Sequence, residues 1–172
     1  MRFWEARSKR GLRDDHGANL VEFALVMPLL LLLIFGTFEF GRLIATQVAL
    51  NSAAREGARF GTTIGDRNLD GVPNFADCDE IREVAKQRAV MAKIDDSDIE
   101  VFYDKGEGTP VYADCQPAGI PPAADTVATG DRLTVVVRGT FTSNVPLISL
   151  ILNDIGFEAK QSRTIFRAVV DD

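Results

Sequence analysis

The sequence predicts an α+β chain. A long N-terminal transmembrane helix continues into an extracytoplasmic domain with a second helix and a small antiparallel sheet. Three observations carry this reading. An uncharged run of 16 residues, Phe23 to Phe38, reaches bilayer width once its apolar flanks are added. The helical pattern continues beyond that run to about Gly61. Further on, alternating segments such as LTVVVRGTF are separated by turns rich in glycine and proline.

Charge divides the chain before any motif is considered. Residues 1–17 carry five Lys/Arg against three Asp/Glu, a local +2, and the remaining residues carry 14 against 22, or −8. A basic head thus precedes an acidic body. The body has no Lys/Arg-rich run, so no nucleic-acid partner is expected. The basic side of the apolar run is N-terminal, which places the head in the cytoplasm and the body across the cytoplasmic (inner) membrane in a single pass. The organisation expected is a basic leader over 1–17, a transmembrane and extended helix over 18–61, and an α+β domain over 62–172.

Three kinds of apolar segment fit this start: a secretory signal cleaved after its core, an uncleaved anchor, and a prepilin-type leader cut before the apolar helix. The residues favour the third. Such a leader is short and basic, ends in glycine, and precedes a helix with glutamate at its fifth position. Gly17, followed by Ala18-Asn19-Leu20-Val21-Glu22, meets each requirement. Cleavage after Gly17 frees the Ala18 amine one helical turn from Glu22. In a filament that carboxylate could pair with a neighbour's amine, offsetting part of the desolvation of both and fixing register between helices. The plainer role is snorkelling to the interface. Gly36 and Gly41 would allow close helix approach. Glu39 is spaced to pair with Arg42 at i+3, or both reach the headgroups.

From Gly41 the helix turns amphipathic, with Leu43, Val48, Leu50, Ala54 and Ala58 alternating with Arg42, Gln47, Asn51 and Arg55. Gly57, Gly61 and Gly65 then accumulate and mark its end. From Ala18 to Gly61 is roughly 65 Å at 1.5 Å per residue, so about half the helix must pack against the outer domain. In this stretch Gly17, Val21–Leu25, Pro28, the leucine run, Phe35-Gly36, Glu39, Gly41-Arg42 and Ala53–Arg59 closely resemble the TadE-like family of tight-adherence (Flp) pilus assembly proteins. DRLTVVVRGTFTSNVPLISLI is similar, more weakly, to that family's C-terminal strand and short apolar segment. The resemblance implies a pilin-like fold and a minor pseudopilin. Its partners would be the membrane, other pilin or pseudopilin subunits, and a prepilin peptidase that cuts between Gly17 and Ala18.

GDRNLDGVPNFADCDE follows. It fits D-x-[DN]-x-[DN]-G-x5-[DE], an EF-hand-type calcium loop spanning 66–77. Asp66, Asn68 and Asp70 fall at positions 1, 3 and 5, and Gly71 at the turn position 6. The Val72 carbonyl falls at 7, Asn74 at 9 and Asp77 at 12. Calcium takes six to eight oxygens, which alternating short acids on a turning backbone supply. An acidic surface turn without metal would look similar. Calcium is therefore the one cofactor expected.

Cys78 and Cys115 form no C-x-x-C pair and have no histidine nearby, so zinc is not expected. In an extracytoplasmic body they read as a disulfide. Asp79 to Ile94 reads as a helix with Ile81, Val84, Ala85, Ala89 and Met91 or Ala92 inward, its N-terminus suited by Asp79, Glu80 and Glu83 and its C-terminus by Lys93. Ile99–Tyr103, Val111-Tyr112, Leu133–Phe141 and Phe157–Val170 read as strands. Val136 and Arg138 should face opposite Val135 and Val137. Val145–Ile155 is apolar but too short to span lipid, and suggests a packed short helix or a membrane-surface patch. With no nucleophile–base set, no phosphate loop and no histidine beyond His16, the chain is not expected to be an enzyme. Besides the pilus component, a membrane-tethered, calcium-stabilised binding module is the other reading.

Overall fold

The computed structural model describes residues 14–115, 122–123, 125–145, 149 and 154–166, with residues 14–16 described as backbone only. The chain divides into two units, residues 1–40 and 41–172. One α+β order runs through them: helix α1 (Asp14–Gly61), helix α2 (Cys78–Arg88), a 3-10 turn at Asp96–Asp98, then strands β1 (Ile99–Asp104), β2 (Val111–Cys115), β3 (Arg132–Phe141) and β4 (Ile155–Thr164). The leader residues 1–13, and most of the apolar segment expected at 145–155, lie outside the described residues.

Among the described residues, the first unit is helix. Its large apolar side chains, from Leu20 through Phe38, are exposed. Pro28 lies inside the helix, where it removes one backbone donor.

The second unit is a four-stranded sheet, order β2-β1-β3-β4, with every neighbouring pair antiparallel. Glycine and alanine decide how α1 meets it. A Cβ on Gly57 would lie 3.4 Å from Val135 Cγ1, one on Gly61 would lie 2.7 Å from Leu133 Cδ1, and Leu50 Cδ2 sits 3.0 Å from the Cβ position of Gly139. Numbers rise along the helix as they fall along the strand, so this part of α1 runs antiparallel to β3. Gly57 and Gly61 are therefore close-approach sites. The helix ends at Gly61, where the accumulating glycines placed its end. Leu50, Ala53, Ala54 and Ala58 are buried, whereas Val48, expected on that face, is exposed.

α2 joins the same core through Ile81, Val84, Ala85 and Ala89, all buried as expected. It ends at Arg88, six residues before the expected Ile94. The backbone N–H of Ala89 turns back to the Lys86 carbonyl, and Ala92 repeats the turn onto Ala89. This brings Ala92 and Ile94 against the core and leaves Met91 exposed. Lys86 and Arg88 hold the last turn instead of Lys93.

β1 and β3 fall where expected, whereas β2 extends to Cys115. β4 begins two residues earlier than the expected Phe157 and ends at Thr164. Ile165 and Phe166 lie beyond it, and residues 167–170 of the expected strand lie outside the described residues. Val135 and Val137 are fully buried, but Val136 on the other face is buried too. It pairs across to Glu100 and Lys160, side chains whose stems cover apolar surface while their charges reach water. Arg138 beside it bridges Glu100 and Glu158.

Candidate functional site

The first candidate is the apolar face of α1. Glu22 and the glycines Gly17 and Gly41 are exposed, and Gly36 is half-buried. Apart from chain neighbours and the helix's own backbone, nothing among the described residues comes within 4 Å of a Cβ built on Gly17, Gly36 or Gly41. Ala18 is exposed, and the helix is continuous through the Gly17–Ala18 bond. Thr37 donates its hydroxyl to the Leu33 carbonyl, so its polar group is satisfied inside the helix. Residues 17–61 hold a stretch long and apolar enough to cross a membrane, and none of that stretch is buried. A row of exposed leucine and phenylalanine requires lipid or other helices to cover it.

Glu39 is buried, at 1% exposure. Arg42 stacks over the Phe141 ring at 5.4 Å. With the Asn144 amide turned so that its oxygen faces the guanidinium, both Arg42 terminal nitrogens donate to it at 3.3 Å. These long-range partners of Arg42 had no sequence signal.

The second candidate is the loop after α1. Leu69 and Gly71 adopt positive φ, 57° and 87°, and the loop closes on its own carboxylates. Asp66 accepts from the Leu69 and Gly71 amides, both at 2.7 Å. Asp70 accepts from Val72 N at 2.8 Å. Asn74 accepts from Arg67 N at 2.9 Å and donates to Thr63 Oγ1 at 3.0 Å. Asp77 caps α2 by accepting from Glu80 N at 3.0 Å, and its other oxygen accepts from the Asn68 amide at 3.2 Å. Asn68 also donates to Glu80, a residue the motif did not include. Asn68, Asp70 and Asp77 line an open cleft of about 510 Å³ with Glu80, Glu83 and Asp96. Lys86 bridges Glu83 at 3.1 Å and Asp96 at 2.8 Å at its edge. The carboxylate pair holds the Lys86 ammonium above its ordinary range. Among the described residues, no group of three acidic, histidine or cysteine side chains converges as a metal set.

Behind the loop lies its anchor. Cys78 and Cys115 are joined in a disulfide with Cα atoms 5.8 Å apart, within the usual range for such a bond. It ties the start of α2 to the end of edge strand β2. Buried Tyr103 donates to the Phe75 carbonyl at 2.6 Å, and burial pushes its phenol well above the ordinary range. Arg82 donates to the Cys115 carbonyl.

Residues 17–59 match the family model described as TadE-like protein. The N-terminal helix resembles TadE-like proteins. The match covers about a quarter of the chain and begins at Gly17, the residue on which the leader reading turns. It supports a part in tight-adherence (Flp) pilus assembly, and TadE-like pilus-assembly proteins are not an enzyme family. No curated protein and no solved structure gives a significant match to this chain. The TadE-like segment ends two residues short of the end of α1. The acidic loop, the disulfide and the sheet all lie outside it.

Proposed function

We propose that this chain is a minor pseudopilin or assembly component of a tight-adherence pilus. It is anchored by the TadE-like helix in a single pass of the cytoplasmic membrane, with the body outside. One observation carries the reading: from Leu20 to Phe38 the large apolar side chains of the helix are exposed among the described residues. Lipid covers such a surface before assembly, and neighbouring apolar helices cover it afterwards. Small residues at Gly36 and Gly41 admit a close neighbour.

On this reading a prepilin peptidase cuts between Gly17 and Ala18. The new amine of one subunit then meets Glu22 of the next, a pairing that fixes axial register. Cross-linking in membranes tests the assembly role. Photo-reactive residues placed at Leu25 and Leu33 should capture other pilin-type subunits. A tethered binding module would yield no such adducts, and that outcome would refute assembly through this face.

We also propose, from the loop's sequence register, that calcium supports the 66–77 loop. For this the Asn68 side chain must turn its oxygen inward, and Asp66, Asp70 and Asp77 must exchange backbone amides for the cation.

A further inference from the structure

A pocket of the body lies between the turn after α2 and the end of β3. It is about 210 Å³, and its lining includes Arg42, Lys93, Thr142, Asn144 and Met91. None of its lining residues is acidic, although the chain after residue 17 carries −8. Two cationic side chains, a hydroxyl and an amide together form a donor set for a phosphate. Beside it the turn after α2 exposes two apolar side chains, Val90 at 83% and Met91 at 60%. Arg42 is only four residues beyond Phe38, the end of the uncharged run. Even fully extended, that separation is at most about 14 Å.

We infer that this pocket is a docking site for the phosphates of membrane lipid headgroups on the outer face of the bilayer. Val90 and Met91 dip into the interface beside it. The inference rests on the proposed membrane span. The chemistry divides in a consistent way. Lys93 meets the phosphodiester with the Arg42 charge beside it, Thr142 and Asn144 donate to its oxygens, and the apolar pair enters the acyl boundary. Each basic residue near an anionic surface is worth about fivefold in partition. The contact would hold the base of an otherwise acidic body against a surface that repels it.

Full-length chain reconstituted in phosphatidylglycerol vesicles, with the native disulfide intact, tests this. A nitroxide placed through Met91→Cys reports collisions with oxygen, which favours lipid, and with a water-soluble nickel complex. A second label, through Leu30→Cys, reports the span. We expect both labels to favour oxygen, Lys93→Glu to shift only the Met91 label to the aqueous ratio, and Lys93→Arg to retain the contact. An aqueous Met91 label with a lipid-facing Leu30 label overturns the headgroup site and leaves the span standing. An aqueous Leu30 label overturns both. A Met91 label in lipid that ignores Lys93→Glu overturns the phosphate role.

Discussion

Gly61 lies so close to Leu133 that a Cβ added to it would fall 2.7 Å from Leu133 Cδ1, and 2.9 Å from Ile81 Cδ1. The last turn of α1, the middle of the core and the second helix meet at that point. Gly61→Val forces at least two fully buried side chains aside. It should lower the stability of the body by about 1–3 kcal/mol, the usual cost of overpacking. Denaturant unfolding measures this, and Gly36→Val is the control. With no neighbour within 4 Å of its Cβ position, that change should leave unfolding of the body where it was.

The Cys78–Cys115 bond closes a loop of 37 residues in sequence separation. In the chain-entropy model, closing such a loop stabilises by about 3–4 kcal/mol. Reduction, or Cys78→Ser with Cys115→Ser, should lower the melting temperature accordingly. Because Arg82 and Tyr103 bond to groups around the bridge, the end of β2 should lose amide protection first. Hydrogen exchange at Ala113 to Cys115 reads this directly.

Proton linkage gives a signed prediction at each end of the pH scale. The hydrogen bond from Arg59 holds the Glu56 carboxyl below its ordinary value of 4.5. Its contribution is present above that value and is lost as pH falls through the lower folded value. Glu56→Gln should therefore flatten the acid limb of the stability curve below about pH 4.5. At the alkaline end, burial and then the bond to Asp131 raise the Tyr112 phenol above its ordinary 10.0. Stability should fall as pH rises past that value, because the unfolded chain releases the proton first. Tyr112→Phe should remove part of that slope.

The calcium reading of the 66–77 loop has its own measurement. Millimolar calcium should raise the melting temperature of the full-length protein, and Asp66→Ala with Asp70→Ala should abolish the shift. An identical melting curve with calcium and with chelator would count against the reading. The loop would then be what its hydrogen bonds already describe, a self-closed turn leading into α2.

Much of the fold was legible because its signals are local. The end of α1 at Gly61, strands β1 and β3, and the inward set Ile81, Val84 and Ala85 follow from periodicity. The rest was hidden where tertiary packing governs. The glycines marked the end of α1, but a lone sequence does not show the Val135 side chain that Gly57 must admit. Alternation put Val136 on the face opposite Val135 and Val137, but did not show that it is buried there too. α2 stopped early because Ala92 and Ile94 gain more by folding back onto the core than by extending the helix.

The candidate sites divide in the same way. The order Gly17, Glu22, Gly36 and Arg42 is a linear signal and was readable. The stacking of Arg42 on Phe141 joins residues far apart in sequence, and no linear spacing announces it.

The central claim is that Gly17 ends a leader and that the TadE-like helix begins a subunit. The mature N-terminus tests it most directly. The protein should be isolated from membranes of cells with an active prepilin peptidase and its intact mass and terminal peptide read by mass spectrometry. A chain that starts at Ala18 is the predicted result. A chain that still starts at Met1 would contradict it, and Glu22 would then have no neighbouring amine to meet.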